Sequence, residues 1–527
     1  MEKSIKENKE IEKRKEKLKS LFVGNYKGLI ISLFIIIFLI RIYYFSLTIN
    51  QPLWWDESDY MATAKSFAGL GNYKLESIRL PTFPFLVSIF FKLGFTEPMI
   101  RFFVLLIPSL LLIFLTYYLI KEMYVDKRIA LISALFLSVL WEHLFYSNRF
   151  HTENISLIFE FLALIVLVKC YTKKEKFLFI KSKHSLYFVF ILSMAAVFFR
   201  PGNIIFFPGV FIFILLSKGN VIFKNKKNTL YSFLLLIFAF IALMVILSKF
   251  SIPIISSYYH PERSVAWVHL TVFEGFFQPI NQQLPNLIYY SFLLGIAIFV
   301  FRLSLSYEKL WTLNNDGSNL KFKSDLLNFL LILSVLIAFI LFLRPDSFEY
   351  RWFFPLLPGM LVFTSQGIIN FSEFVGEKLS NKKIISILII MISLFGFYTQ
   401  IIHADSIIKA KVNSYMQVKE SGIWVKENSV STDIIISSSI PQHSYYSERK
   451  VYSFGFDSSN LSEEYFNEKI KEIKPKYAII SAFEPVFTPA WAYEWPDKNK
   501  EIAVPVQVYF ADAEKKQPIL VVYELKY

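Results

Sequence analysis

The chain has 527 residues, 54% of them hydrophobic and 18% aromatic, with a formal net charge of +14 at pH 7 and one cysteine. That apolar share exceeds the roughly 45–50% of soluble proteins and is gathered into runs of about 17–23 residues, long enough to cross a hydrocarbon core. A soluble globular protein is excluded and a polytopic α-helical membrane protein is expected. Cys170 alone allows no internal disulfide and no thiolate-cluster metal site, and the lysines lie between apolar runs, a topology signal that points away from nucleic acid.

Residues 1–27 carry nine basic and five acidic side chains and read as a cytoplasmic charged tail with i,i+4 pairs. No small-residue cleavage site follows the next apolar run, so the first span, about 28–47, is expected to stay as a signal anchor. The first outer loop, 50–97, holds Trp54-Trp55-Asp56-Glu57. Tryptophan prefers the headgroup level, so the pair would fix two carboxylates beside the bilayer, where desolvation raises a carboxyl toward the range of a general base. A solvated acidic loop is the alternative. Residues 82–93 are apolar but too short to cross, and are expected to lie along the membrane.

Further spans are expected at 98–120, 129–146, 154–170, 185–199, 203–217, 229–249, 287–303, 326–343, 353–370 and 384–401, about eleven in all. The tail and alternate loops then carry roughly 27 Lys/Arg against roughly nine on the other side. By that skew the N-terminus is cytoplasmic and the C-terminus extracytoplasmic, in a multi-pass protein of the plasma membrane. The membrane domain is expected over 28–404. Residues 405–527 alternate strand and helix patterns (helices at 407–427 and 462–474; strands at 433–439, 451–454, 477–483, 504–510 and 519–523) and predict a small extracytoplasmic α/β domain with a partly parallel sheet.

This topology uses no motif, yet it gathers the compact polar clusters on one side. Asp56, Glu57 and Arg79 lie in the first outer loop. Arg149, His151 and Glu153 follow the third span, Arg200 the fifth, and Arg344, Glu349, Tyr350 and Arg351 precede the tenth. Singly, each arginine could snorkel to headgroups and His151 could be an ordinary interfacial histidine. Together they suit an anionic, membrane-anchored substrate, since arginine grips phosphate by two parallel hydrogen bonds and a carboxylate can deprotonate a hydroxyl. Glu142 and Glu160 add a weaker hint, Glu160 being an intramembrane carboxylate.

These residues resemble the integral-membrane GT-C glycosyltransferases, family 39, which includes protein O-mannosyltransferases and the aminoarabinose transferases of lipid A. The likeness rests on Trp55-Asp56-Glu57 with Tyr60 and Ala64, Arg79-Leu80-Pro81, Arg149 with Glu153, and Tyr350-Arg351 followed by Pro355-Leu356-Leu357-Pro358, over roughly residues 28–400. It implies a polyprenyl-phosphate sugar donor, a protein, lipid or glycan acceptor, Asp56 as the base with Glu57 positioning it or the acceptor, and Arg79 on the donor phosphate. Arg149, His151, Glu153, Arg200, Arg344, Tyr350 and Arg351 complete the candidate substrate-binding set. Two departures stand out: Asp59 where aminoarabinose transferases tend to carry a basic residue, and few basic residues in 250–286. No cofactor is fixed by the sequence, and a divalent metal stays open without assigned ligands. The expected activity is inverting transfer of a hexose or pentose to an extracytoplasmic hydroxyl. A transporter or flippase of lipid-linked sugars is the alternative, although such folds show inverted repeats and broken helices. The aromatic run from Phe483 to Trp495 could stack on sugar rings or pack as a core edge.

Overall fold

The computed structural model describes residues 26–76, 79–224, 287–306, 320–342 and 349–527, apart from residues 457, 459, 512, 513 and 515. The expected span at 229–249, the loop 250–286 and Arg344 lie outside the described residues.

The chain begins with α1 (Tyr26–Thr48), α2 (Trp55–Phe67), α3 (Thr82–Lys92) and α4 (Glu97–Met123). Next come α5 (Lys127–Val139) and α6 (Trp141–Tyr146), separated by a non-helical Leu140, so the stretch expected as one span at 129–146 is divided. Then follow α7 (Glu153–Thr172), α8 (Ser182–Phe199), α9 (Phe206–Lys224), α10 (Leu287–Leu305), α11 (Leu320–Phe342), α12 (Tyr350–Lys378), α13 (Lys382–Lys411) and α14 (Met416–Glu427). Among the described residues, seven helical stretches are long and apolar enough to cross a membrane: Ile30–Thr48, α4, α7, α8, α10, α12 and Lys382–Glu427, which contains α13 and α14.

The apolar runs become helices because twenty such residues satisfy every backbone group internally, as hydrocarbon requires. Two of them pack backbone to backbone. Between α10 and α12, a Cβ on Gly295 would fall on the Phe363 carbonyl and one on Gly367 on the Ser291 carbonyl. The two backbones therefore touch, the small-residue contact that membrane helices use where the hydrophobic effect gives no drive. Helix α3 buries Phe83, Val87 and Phe91, spaced four apart, and exposes Phe85 and Ile89 on its other face. An eleven-residue helix with two apolar faces suits the flat-lying element expected at 82–93.

Beyond Tyr415, which turns the chain at a left-handed φ of 68° and so breaks the helix expected over 407–427, the architecture changes. Strands β1 (Ile434–Ser437), β2 (Lys450–Tyr452), β3 (Tyr477–Ser481), β4 (Ala503–Phe510) and β5 (Pro518–Leu525) form one sheet in the order β2-β1-β3-β5-β4. The β2-β1-β3 side is parallel and the β3-β5-β4 side antiparallel. Side chains alternate across it: Ile436, Ala478 and Ile480 face a core with Phe466 and Trp495, while Ile435 and Ile479 face one with Val418 and Val425. Helices α15 (Ile440–Ser447), α16 (Glu463–Ile473) and α17 (Trp495–Lys498) complete this unit. Helix α15 was not foreseen, although Pro441 in its first turn is a start signal.

Candidate active site

The site is built around the N-terminus of α2. Trp54 is its extended N-cap, and Glu57, three residues on, reaches back so that its Oε2 accepts the Trp54 N–H at 2.8 Å. The same oxygen accepts from Arg149 Nη1 at 3.0 Å and Oε1 accepts the Phe150 N–H at 2.8 Å. Glu57 is fully buried, and with all of these donors it ties α2 to the connection between α6 and α7. The two tryptophans are fixed by protein contacts as well as by any headgroup preference. The Arg149 guanidinium lies 3.5 Å above the Trp54 ring, and Trp55 stacks on Phe487 at 4.9 Å while its indole N–H donates to Glu76 at 2.6 Å.

Asp56 points the other way, into a line of ion pairs. Its Oδ1 accepts from Arg79 Nη2 at 2.7 Å and its Oδ2 from Arg351 Nη2 at 2.8 Å, and its side chain keeps 30% exposure. Arg79 precedes α3 and also stands 2.7 Å from the buried Asp59 Oδ2 and 3.3 Å from Glu76. Asp59 in turn accepts from the Tyr73 hydroxyl at 2.8 Å. Arg351 sits in the first turns of α12, wound as a 3-10 helix over Tyr350–Leu356, where Pro355 and Pro358 supply no N–H. It meets His151 Nδ1 at 2.7 Å, approaches Glu153 at 3.5 Å, and pairs with Glu349. Glu153 pairs with Arg200, the extended residue before Pro201 at the end of α8. Five separate segments thus converge on one carboxylate–guanidinium chain.

Burial works to raise the Asp56 carboxyl, but Arg79 and Arg351 outweigh it and hold it well below the usual carboxylate range. The shift runs opposite to the desolvation-driven rise expected from the sequence, because two guanidiniums within 3 Å dominate. Glu57 is likewise lowered, burial being offset by Arg149. His151 is pushed down to about 4 by burial and by Arg351, so it is neutral at pH 7.

The structure therefore brings together Asp56, Arg79, His151, Glu153, Arg200 and Arg351, and sets Glu57 with Arg149 in the support beneath them. Tyr350 packs edge-on to Trp141 at 5.7 Å, one residue from the cluster. Asp59, Glu76 and Glu349 are members whose pairing the sequence reading missed; Asp59 at i+3 from Asp56 on a helix was a signal that both could meet one arginine. Glu160 is buried in α7, and neither of its oxygens has a hydrogen-bond partner among the described residues. In the aromatic run, Trp491 and Trp495 pack on Phe466 at 5.0 and 5.2 Å in the core, while Phe487 reaches Trp55. Among the described residues no group of three or more His, Cys, Asp or Glu side chains is arranged to hold a metal ion.

The comparisons with known proteins bear on the fold that carries this site. The model of the dolichyl-phosphate-mannose-protein mannosyltransferase family matches residues 79–247, a stretch that begins at Arg79 and leaves out Asp56. The archaeal oligosaccharyltransferase AglB from Archaeoglobus fulgidus, solved with an inhibitory peptide and a dolichol-phosphate, superposes with a TM-score of 0.58 at 13% identity, over 87% of this chain and 70% of that one. ArnT from Cupriavidus metallidurans, solved with undecaprenyl phosphate, gives a TM-score of 0.59 at 8% identity, over 94% of this chain and 98% of that one. The chain has the GT-C glycosyltransferase fold. The GT-C resemblance read from the sequence agrees with the family model and with this fold; of the residues that carry it, Arg79, Arg149 and Glu153 lie inside the matched stretch, and Trp55-Asp56-Glu57 and Tyr350-Arg351 lie outside it. No curated protein matches in sequence.

Proposed function

We propose that this GT-C protein is an inverting glycosyltransferase that moves a sugar from a polyprenyl-phosphate donor to an acceptor hydroxyl on the extracytoplasmic face. The observation that carries the reading is Asp56, a part-exposed carboxylate gripped by Arg79 and Arg351 beside a membrane domain. Asp56 takes the acceptor proton as the hydroxyl oxygen attacks the anomeric carbon. The bond from that carbon to the phosphate oxygen breaks, and the lipid phosphate leaves with the electron pair. Arg351, with Arg79 and Arg200 near it, stabilises the charge that develops on the leaving phosphate. The two relatives of like fold, solved with dolichol-phosphate and undecaprenyl phosphate, support a lipid-phosphate donor.

In the resting site Arg79 and Arg351 are engaged by carboxylates. A donor phosphate competes for them, and as they turn toward it Asp56 loses the partners that make it a weak base. Donor binding thereby prepares the base. The test pairs two measurements on purified protein in lipid nanodiscs: release of labelled sugar from polyprenyl-phosphate mannose and related donors, and binding of undecaprenyl phosphate. Asp56→Asn should reduce turnover by about 10²–10⁴-fold while retaining lipid-phosphate binding. Near-normal turnover in that variant would remove the base assignment.

A further inference from the structure

The C-terminal sheet unit meets the catalytic segment at several points, two of them within the three residues before Asp56. From α15, the Tyr446 hydroxyl accepts the backbone N–H of Leu53 at 2.8 Å, three residues before Asp56, in a wholly buried position. From the loop after β3, Phe487 stacks on Trp55, the residue next to Asp56, with rings 23° from parallel. The neighbouring Tyr445 donates to Glu97 at the start of α4 at 2.8 Å, and Lys65 near the end of α2 pairs with Glu448 at 2.7 Å, so the C-terminal end of α15 is tied to α2 and α4.

We infer that the C-terminal unit is a clamp for the catalytic helix, with Tyr446 and Phe487 as positioning residues that set where Asp56 stands relative to Arg79 and Arg351. Neither touches the Asp56 carboxylate. Their leverage is geometric: the Leu53 N–H precedes the first turn of α2 and has its partner in Tyr446, and Trp55 is the first residue of that turn. Without the two contacts the helix start keeps its ties through Glu57, Trp54, the Trp55–Glu76 hydrogen bond and the ion pairs of Asp56 itself, and loses those that come from the C-terminal unit. A displacement of about 1 Å at a reacting group costs on the order of 10²-fold in rate. The role rests on the reading of Asp56 as base, which the Asp56→Asn assay judges separately.

Two measurements on the full chain test it. In hydrogen–deuterium exchange, Tyr446→Phe should lose protection of the Leu53 amide and of the segment 50–58, whereas α12 keeps its own. In the polyprenyl-phosphate mannose assay, Tyr446→Phe and Phe487→Ala should each lower kcat by about 10-fold or more, with undecaprenyl phosphate affinity within twofold of the parent. Phe487→Trp keeps a stacking ring and should recover most of the loss, which a general loss of fold would not allow. Phe487 is half exposed, so its variants stay informative if Tyr446→Phe folds poorly. Unchanged exchange at 50–58, or a kcat within twofold for both variants, overturns the clamp. A change confined to acceptor KM in Phe487→Ala would make that ring an acceptor contact and overturn its positioning role. Near-normal turnover in Asp56→Asn, measured alongside, would remove the base and this role with it, while leaving the exchange result to stand as structure.

Discussion

Held between Arg79 and Arg351, the Asp56 carboxylate stays ionised far into acid and accepts a proton poorly. A base of that kind gains strength only when its cations are drawn off, and a phosphate is the group most able to draw them. The proposed sequence has a consequence in pH. The acid limb of kcat/KM reports the free protein, and that of kcat reports the donor complex. With both arginines on Asp56, the free protein should keep its active, ionised carboxylate to low pH. In the complex the arginines are shared with phosphate, the Asp56 pKa rises, and activity is lost sooner as pH falls. The limb of kcat should therefore lie at higher pH than that of kcat/KM for the donor. His151, at about 4, stays neutral through neutral pH and continues to accept from Arg351. Rate profiles between pH 4 and 8 with polyprenyl-phosphate mannose decide the matter, and coincident limbs would count against a donor-prepared base.

Helix α2 owes its place to Glu57 more than to any apolar stripe, since its apolar face is short and its first turn is acidic. Glu57 receives the Trp54 and Phe150 N–H groups and the buried Arg149. Truncating it would leave a guanidinium with no exposure and no carboxylate partner. Glu57→Ala should therefore lower stability by about 3–5 kcal/mol, seen as a reduced thermal midpoint in detergent, while Glu57→Gln, which can still accept two N–H groups, should cost less. Little change in Glu57→Ala would show that the Trp54 ring alone suffices for Arg149. The sequence pointed to Asp56 and Glu57 as a pair but could not separate them. Neighbours on a helix point about 100° apart, so one enters the site and the other the protein interior, and which does which depends on partners 23 to 295 residues away. For the same reason Arg79, Glu153 and Arg351 were legible as candidates, through type and side of the membrane, whereas the pairing of Arg79 with Asp59 was not. The strands of the C-terminal sheet were read nearly at their observed positions because alternation is a local signal. Helix α15, short and polar, had only Pro441 to announce it.

At the scale of the whole molecule, charge predicts an orientation. The lysine skew was counted without reference to any site, and the segments it assigns to the outer face, around Asp56, His151 and Arg200, are the ones whose side chains meet in a single chain of ion pairs. Segments assigned to opposite faces would be separated by a hydrocarbon core of about 30 Å and could not pair this way. The C-terminal unit belongs on the same side, since Tyr446 and Phe487 contact Leu53 and Trp55 directly. The prediction is made on a Cys170→Ser background, which removes a buried thiol. In intact cells, a membrane-impermeant maleimide should label Asn72→Cys in the first outer loop and Asn460→Cys in the C-terminal unit, both exposed, and should spare the exposed Lys176→Cys between α7 and α8 until the cells are opened. Labelling at 176 with none at 72 and 460 would reverse the orientation and move the proposed chemistry to the cytoplasmic face. Labelling at 72 without 460 would contradict the contacts of α15 with α2, because two residues in one packed unit cannot lie on opposite sides of a bilayer.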